Sequence, residues 1–505
     1  MARQIEHRIS RRSFLKTSTT IAVGLSFAPY LSCGRIGVRK PIKRDFGRLD
    51  FEVTTLGLGG QASIQWTPSD VDPVQIILKA FKLGVNYFDT SNLYGPSQLN
   101  FGKAFRELNL VPGQSGYDEG KRRSIFLTSK TGLRYAKGGL RQEGLFNYTQ
   151  GPEESGAVDD LKRTLSQIFG DGHGEYPPGA YVDMLLMHNV TSMKDVDAVY
   201  EGFAEPDPNA ERIGAFAALL DYRNGTNRTG LNPKEERLIR HIGFSGHHSP
   251  PVQMEMLQRD EQSQLDGMLV AINANDRLNF NMQHNAIPVA AAKNMGIIAM
   301  KVFADGAMYT KQAVWSRAPE HVVRTVGNPR LPSRPLIEYS LTTPGLCTAI
   351  IGIGQIDDEP AQCQLEQNLS AAQIPPDGLG ESGRLDVEKM ASSVKDGKTN
   401  YFQIPIEPLS PPRDPAVSQQ MRESQRVARL TWHTAYAGIA PIRQYEIWRD
   451  DQKIAQVQHQ PQTTKAPFAF EDLLTDQGAH DYRLVTVDAT GETAATEQLK
   501  LPAIG

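Results

Sequence analysis

Short apolar segments that alternate with helical segments constrain the fold of this chain more than any other feature of its sequence. About eight of them recur between residues 54 and 370. The segments are residues 56–60, 84–88, 124–130, 181–189, 238–247, 267–273, 296–302 and 349–354. Short strands separated by helices are typical of βαβ units with a parallel sheet. The candidate folds are therefore a closed barrel of eight such units and an open, doubly wound sheet.

Polar residues at the ends of these strands favour the barrel. Asp89, Lys130, His188 and Ser245 each stand at the carboxyl end of a predicted strand. In a barrel of this kind, the carboxyl ends of the strands form the face that carries the active site. We therefore predict an α/β fold, a TIM (β/α)8 barrel with a site on this face.

Asp89 requires a cationic partner, because a carboxylate at the end of a buried strand is costly to desolvate. Tyr94 follows Asp89 in the same loop. A tyrosine can donate a proton if its surroundings lower its pKa from about 10. Lys130 is the cation that a later strand supplies, so the sequence predicts a proton-transfer site built from these three residues.

Four motifs of the chain resemble the aldo-keto reductase superfamily. They are residues 84–95 (GVNYFDTSNLYG), 128–130 (TSK), 183–188 (DMLLMH) and 239–245 (IRHIGFS). The resemblance covers about residues 45–370 and implies a nicotinamide-dependent oxidoreductase. It also implies a catalytic tetrad, which carries over to Asp89, Tyr94, Lys130 and His188.

The implied reaction reduces a carbonyl, or oxidises an alcohol, of a small and sugar-like substrate, with Tyr94 as proton donor or acceptor. Lys130 would stabilise the developing phenolate, and Asp89 would keep Lys130 charged and oriented. His188 would bind the substrate oxygen by a hydrogen bond.

The resemblance further implies a binding site for NAD(H) or NADP(H), with nicotinamide contacts after the fifth and following strands and adenosine contacts after the last strand. We assign to it a set of small and polar residues: Gly59, Gly60, Ser245, Asn273, Lys301, Gly352, Gly354, Gln364 and Asn368. The loop after the last strand has no cation and carries Asp357 and Asp358. Because carboxylates repel a 2′-phosphate, we expect weak selectivity for it, and NAD(H) at least as readily as NADP(H).

Residues 1–34 are predicted to be an export signal rather than part of the fold. Arg11 and Arg12 precede a modest apolar run, residues 21–31, in an arrangement that resembles a twin-arginine signal. Residues 31–34 (LSCG) resemble a lipoprotein cleavage site, but Tyr30 stands where an aliphatic residue is usual, so lipidation of Cys33 stays open. The protein would then be periplasmic or attached to the envelope. Since no nicotinamide pool is at hand there, a tightly bound cofactor is one expectation.

Composition argues against several other classes. With 54 basic and 57 acidic residues the net charge is −3, which gives no indication of nucleic-acid binding. The three cysteines, Cys33, Cys347 and Cys363, exclude a disulfide scaffold and show no metal-ligand spacing. The adjacent His247 and His248 lack partner ligands at zinc spacing, so we predict no metal site. The expected partner is a small molecule.

The periodicity changes to alternation after about residue 410. We therefore divide the chain after the signal into a barrel with a C-terminal extension (35–400), a linker (401–415) and a β-sandwich (416–505). Trp432 and residues 482–487 (YRLVTV) resemble a fibronectin type III domain, an immunoglobulin-like all-β sandwich without evident chemistry. A second functional hypothesis follows, in which an altered barrel and this sandwich act as an envelope carbohydrate-binding or scaffold protein.

Overall fold

The structure is a computed structural model that describes residues 40–139, 142–145, 147–309, 312, 314–394 and 406–504. The predicted signal peptide of residues 1–34, with Cys33, lies outside the described residues, as does part of the predicted linker. In these ranges, no helix is long and apolar enough to cross a membrane.

The N-terminal part of the described chain forms a closed barrel of eight parallel strands. The strands of this part are β1 (Lys43–Phe46), β2 (Leu49–Thr54), β3 (Leu56–Gly59), β4 (Tyr87–Asp89), β5 (Phe126–Thr131), β6 (Tyr135–Lys137), β7 (Val182–Met187), β8 (Ile213–Gly214), β9 (Ile239–Gly246), β10 (Gly267–Ala271), β11 (Gly296–Met300) and β12 (Thr348–Gly352). The barrel strands are β3, β4, β5, β7, β9, β10, β11 and β12, which pair in this order, and β12 pairs with β3. Parallel pairing in sequence order is the topology of a TIM barrel, so the predicted fold is confirmed.

Helices connect the barrel strands and cover the outside of the barrel. They are α1 (Pro73–Lys82), α2 (Ser97–Glu107), α3 (Glu119–Arg123), α4 (Ala157–Phe169), α5 (Met193–Tyr200), α6 (Ala215–Asn224), α7 (Pro250–Arg259), α8 (Asp276–Asn279), α9 (Ala286–Ala292), α10 (Ser333–Leu341), α11 (Gln364–Ala371) and α12 (Glu381–Ser392), with 3₁₀ turns at Ala62–Ile64, Ala304–Gly306 and Pro319–His321. The first helix shows why they form. The Asp72 carboxylate accepts a hydrogen bond from the Val74 N–H at 2.9 Å, and Pro73 begins the helix. Ile76 and Ile77 are buried in the core, so α1 covers the barrel with an apolar face.

The hairpin of β1 and β2 closes the amino end of the barrel. Phe46 is fully buried, and its ring meets those of Tyr87 and Phe126 edge to face at 5.6 and 5.0 Å. Gly47 has a φ of +61°, and a Cβ there would lie 2.4 Å from the carbonyl carbon of Met295. With this end closed, the open face of the barrel is formed by the carboxyl ends of its strands.

An all-β unit follows the barrel. Its strands are β13 (Arg413–Arg422), β14 (Gln425–His433), β15 (Ile442–Arg449), β16 (Gln452–Gln458), β17 (Phe468–Leu474), β18 (His480–Asp488), β19 (Thr493–Ala495) and β20 (Leu499–Leu501). One antiparallel sheet contains β13, β14 and β17, and the other contains β15, β16 and β18 to β20. The buried Trp432 ring lies 5.6 Å from Tyr445 and 5.8 Å from Phe468, which joins the two sheets in one core. The predicted all-β architecture is confirmed, and the resemblance to a fibronectin type III domain stays a prediction.

The first strand of this sandwich begins earlier than the sequence indicates. β13 starts at Arg413, within the residues assigned to the linker (401–415). Its register shifts between Arg413 and Ala416, and Asp414 between them has a φ of +48°. This irregularity and Pro415 obscure the alternating pattern, because proline and bulges interrupt a regular strand.

Candidate active site

The four side chains predicted as catalytic lie together at the carboxyl end of the barrel. Asp89 ends β4, Lys130 lies in β5, and His188 directly follows β7. Tyr94 lies in the loop after β4, in a turn where its N–H donates to the Ser91 carbonyl at 3.1 Å. The centroid of the Tyr94 ring lies 5.8 Å from that of His188, edge to face, and 4.8 Å from the Lys130 ammonium.

Lys130 and Asp89 form a buried ion pair. The ammonium donates to Asp89 Oδ1 at 2.5 Å and to the Thr90 carbonyl at 2.8 Å, and Asp89 and Lys130 are each 1% exposed. Burial raises the pKa of Asp89 and lowers the pKa of Lys130, while the attraction between the two charges opposes both shifts. Removal of either partner would leave an uncompensated buried charge, so the pair fixes the position of the ammonium.

Tyr94 differs from the sequence expectation in its pKa. The sequence predicts surroundings that lower this pKa, but burial raises it well above the ordinary value, and the charges of Asp89 and Asp305 raise it further. The residue is only 7% exposed, which explains the dominant effect of burial. The phenol is therefore protonated at neutral pH, and this is the form that can donate a proton.

His188 is neutral for a related reason. Burial lowers its pKa well below the ordinary value, and the nearby cations Lys130, Arg134 and Lys301 lower it further. A neutral imidazole has one donor and one acceptor nitrogen. Nδ1 lies 3.4 Å from Ser91 Oγ, so Nε2 is the candidate contact for a substrate oxygen.

A cleft with a volume of about 950 Å³ extends from Tyr94 along the carboxyl ends of β3, β11 and β12. This volume includes space that is open to solvent. Several of the predicted cofactor residues line it, namely Gly59, Gly60, Lys301, Gly352, Gln364 and Asn368. Because Asp89 and Tyr94 line the same cleft, a ligand in it would lie beside the phenol.

Three predicted cofactor residues, Ser245, Asn273 and Gly354, are not part of this lining, and each is hydrogen-bonded within the protein. Ser245 Oγ accepts a hydrogen bond from the backbone of the loop after β7 at 2.9 Å. Asn273 Nδ2 donates to the Lys301 carbonyl at 3.2 Å. The Gly354 N–H donates to Gln364 Oε1 at 2.7 Å. The assignment of these three residues to the cofactor stays a prediction.

Gln364 lines the cleft, but its amide is bonded to backbone groups. Oε1 accepts from the N–H groups of Gly354 and Gln355 at 2.7 and 3.0 Å. Nε2 donates to the carbonyls of Val323 and Thr325 at 3.2 and 2.7 Å. The side chain thus ties the loop after β12 to the segment after β11, which is a structural role that its sequence position does not reveal.

The segment after β11 supplies cleft residues that the sequence does not indicate. Phe303, Asp305 and Tyr309 line the cleft beside Lys301. The rings of Phe303 and Tyr309 lie 5.3 Å apart. No strand or motif pattern marks this tyrosine, because it lies in an irregular segment.

A cation also lies beside the loop after β12, which the sequence expectation missed. Arg324 Nε donates to Gln355 Oε1 at 3.0 Å, and its two Nη atoms donate to the Asp70 carboxylate at 3.1 and 2.6 Å. The ion pair is accessible, with 36% of the Arg324 side chain and 61% of the Asp70 side chain exposed. Arg324 precedes Gln355 by 31 residues, so inspection of the loop alone could not find it.

The two adjacent histidines follow β9 at the same face of the barrel. The His247 ring lies 6.1 Å from the Trp315 ring, and the Lys301 ammonium lies 4.3 Å from the centroid of that indole. Burial lowers the pKa of both His247 and His248. Among the described residues, no group of three His, Cys, Asp or Glu side chains is arranged to hold a metal ion.

The cleft has properties that fit a polar, elongated ligand such as a nicotinamide dinucleotide. Asp89 Oδ2 and the Tyr309 hydroxyl are buried in its lining and have no hydrogen-bond partner within the described residues. The backbone is packed closely at the end of β3, where a Cβ on Gly60 would lie 2.5 Å from the Asp89 carbonyl oxygen. These polar atoms and the adjacent glycines are the groups that would hold such a cofactor.

A closed parallel barrel with such a site at the carboxyl ends of its strands is the usual arrangement of a barrel enzyme. Residues 55–322, just over half of the 505 residues, match the family model described as the Aldo/keto reductase family. The chain belongs to this family. The predicted class of enzyme, an aldo-keto reductase-type oxidoreductase, is therefore confirmed at the level of the family.

Individual relatives are distant from this chain. The uncharacterized oxidoreductase YqkF of Bacillus subtilis (strain 168) is 25% identical over 165 residues, which are 32% of this chain and 44% of that protein. The match thus spans less than half of that relative. The crystal structure of an aldo/keto reductase from Klebsiella pneumoniae in complex with NADP and acetate is 16% identical, covers 70% of this chain and 95% of that chain, and has a TM-score of 0.41.

Proposed function

We propose that this protein is a nicotinamide-dependent oxidoreductase that reduces the carbonyl group of a small molecule, with Tyr94 as the proton donor. The observation that carries the proposal is the position of the Tyr94 phenol in the cleft, beside the buried Lys130–Asp89 pair and the neutral His188. Its raised pKa favours the acid form, which is the form that donates a proton to a carbonyl oxygen.

The side chains of the site have complementary roles in this proposal. The cofactor, when bound, would supply hydride to the carbonyl carbon. Tyr94 donates its phenolic proton to the carbonyl oxygen and becomes a phenolate. The Lys130 ammonium, 4.8 Å from the ring centroid, stabilises that negative charge, and Asp89 keeps the ammonium in place. His188 orients the substrate oxygen by a hydrogen bond.

Slow exchange of the cofactor would suit a protein that leaves the cytoplasm already loaded. The segment after β11 lines one wall of the cleft and is tied to the opposite side by Gln364 and by the Arg324–Asp70 pair. Such ties would slow the release of a bound cofactor. The twin-arginine-like leader of residues 1–34 supports export of the folded protein to the periplasm or envelope, with lipid attachment at Cys33 as one form of the latter. Nucleotide should co-purify with protein from the periplasmic fraction, and its absence there would argue against tight binding.

Tyr94→Phe tests the proposal, because it removes only the hydroxyl. We expect the rate with NADH or NADPH, on a panel of aldehydes and aldoses that includes 4-nitrobenzaldehyde and xylose, to fall by about two to four orders of magnitude. Quenching of protein fluorescence by nucleotide should be retained. Tyr117→Phe is the matched control, because it also removes only a hydroxyl. The Tyr117 hydroxyl donates a hydrogen bond to Glu119 at 2.5 Å, and Tyr117 is not part of the cleft lining.

Near-normal turnover by Tyr94→Phe would contradict the assignment of Tyr94. Failure of the wild-type protein to bind either nucleotide would contradict the proposed function itself. That second outcome would favour the other hypothesis, an envelope carbohydrate-binding or scaffold protein.

A further inference from the structure

The β-sandwich contacts the barrel through the turn between β14 and β15. Asn285 pairs with the backbone of Ala437, because its Oδ1 accepts from the N–H at 2.9 Å and its Nδ2 donates to the carbonyl at 3.3 Å. Asn281 Nδ2 donates to the Gly438 carbonyl. Tyr436 packs against the apolar core of the barrel. Two asparagines of the barrel therefore fix the position of one turn of the sandwich.

The same asparagines lie in residues 272–285, the segment after β10, whose other end is bonded to the wall of the cleft. Asn273 Nδ2 donates to the Lys301 carbonyl at 3.2 Å. Between the two ends, the Asn281 N–H donates to the Asp276 carbonyl at 2.7 Å, and the Asp276 N–H donates to the Asn273 carbonyl at 2.9 Å. Asn285 is connected to the same path, because its Nδ2 also donates to the Asn281 carbonyl at 3.1 Å. A continuous series of hydrogen bonds thus joins the sandwich turn to Lys301.

Backbone strain indicates why these positions need support. Lys301 and Asn281 have left-handed backbone conformations, with φ values of +60° and +52°, and a lysine rarely adopts this conformation. Strained residues persist only where the surrounding structure restrains them. The Lys301 ammonium lies 3.2 Å from Gln61 Oε1, and both residues line the cleft, so relaxation of this backbone would move a cation within the site.

We infer that the β-sandwich is a brace for the cofactor cleft. Its turn, residues 436–438, restrains the segment 272–285, and through Asn273 this segment keeps the strained Lys301 in the cleft wall. Asn281 and Asn285 are positioning residues, since neither is part of the cleft lining. The restraint of Lys301 by the sandwich does not depend on the proposed function. The proposed function only identifies the ligand of the cleft as a nicotinamide nucleotide.

Hydrogen exchange of the ligand-free chain is the first test. Asn285→Ala removes both bonds to Ala437, and Lys465→Ala is the matched control, because Lys465 pairs with Glu255 at 2.7 Å elsewhere in the same interface. We expect amide exchange in residues 296–305 to accelerate about tenfold in Asn285→Ala and to match the wild type in Lys465→Ala. Equal protection of this segment in all three proteins would overturn the inference.

Cofactor kinetics are the second test, and they separate positioning from general stability. In Asn285→Ala, KM for the cofactor should rise about tenfold while kcat stays within about twofold, because only the cleft wall has moved. Faster exchange with an unchanged KM would overturn the link to the cleft. If the wild-type chain binds no nucleotide, the proposed function fails while the exchange test still decides the brace.

Discussion

Asp276 is a single buried carboxyl group, and its pKa predicts one contribution to the pH dependence of the protein's stability. It begins α8, is 1% exposed, and accepts hydrogen bonds from the N–H groups of Met282 and Gln283 at 3.3 and 3.4 Å. Burial raises its pKa to about 7, and these hydrogen bonds and the charge of Arg384 offset only part of the rise. The substitution Asp276→Asn tests this contribution, because it replaces the carboxyl by a neutral group of the same shape.

The size of the effect follows from the two pKa values. Between the ordinary value of 3.8 and about 7, the folded protein binds a proton at Asp276 that the unfolded chain does not bind. The free energy of unfolding therefore falls as the pH rises through this window, by about 1.4 kcal/mol per pH unit and on the order of 4 kcal/mol in total. Asp276→Asn removes this slope, so the variant gains stability relative to the wild type up to about pH 7 and no further.

Buried histidines act in the opposite direction. Burial lowers the pKa of His284 and of His459 to about 4. The folded protein then binds fewer protons than the unfolded chain between about pH 4 and the ordinary histidine pKa of about 6.5, and stability rises with pH there. These contributions are common to the wild type and the variant, so the difference between the two proteins isolates Asp276.

The assay is thermal unfolding of both proteins from pH 5 to pH 8, with Asp377→Asn, at an exposed aspartate, as the control. The difference in Tm, variant minus wild type, should widen by several degrees up to about pH 7 and then stay constant. The control should run parallel to the wild type. A difference in Tm that does not change with pH would contradict this prediction, because Asp276 would then be ionised in the folded protein throughout the range.

The remaining predictions concern the cleft. Arg324→Ala should lower the affinity for NADPH relative to NADH by about tenfold, because a guanidinium beside the loop after β12 can bind a 2′-phosphate. Asp70→Asn removes the carboxylate that competes for Arg324, so it should raise the affinity for NADPH relative to NADH. The same affinity ratio in fluorescence titrations of the wild type and both variants would exclude a role for the Arg324–Asp70 pair. Tyr309→Phe should weaken nucleotide binding several-fold without lowering Tm, because the hydroxyl has no partner within the described residues. Unchanged binding would mean that this hydroxyl does not face the ligand.

The barrel and the position of its site could be predicted because both depend on local patterns. Each barrel strand is a short apolar run, and once the strands are parallel, the residues at their carboxyl ends must share one face. Asp89, Lys130 and His188 follow this rule at β4, β5 and β7. Tyr94 lies a few residues beyond Asp89, so a short turn was enough to bring it to the same place.

The cleft could be predicted only in part, since much of its wall is irregular. Gly59 and Gly352 end barrel strands and line it, as strand-end residues should. Tyr309 and Arg324 come from the segment after β11, whose path no periodicity determines. Asn273 also follows a barrel strand, but its amide donates to the Lys301 carbonyl and is not part of the cleft lining, and a residue type alone does not reveal which partner it has.

Burial, rather than the lysine, sets the protonation states at the candidate site. The Lys130 ammonium donates to Asp89 and to the Thr90 carbonyl, and it lies beside the Tyr94 ring. Desolvation raises the pKa of Tyr94 and lowers that of His188, so both are neutral before a substrate binds. A neutral phenol gains little from a nearby ammonium, whereas a phenolate gains a full charge–charge attraction in a site with little water. In the proposed reaction Lys130 therefore stabilises the charge that develops as the proton leaves Tyr94 more than it stabilises the starting state, and only such a difference accelerates a reaction.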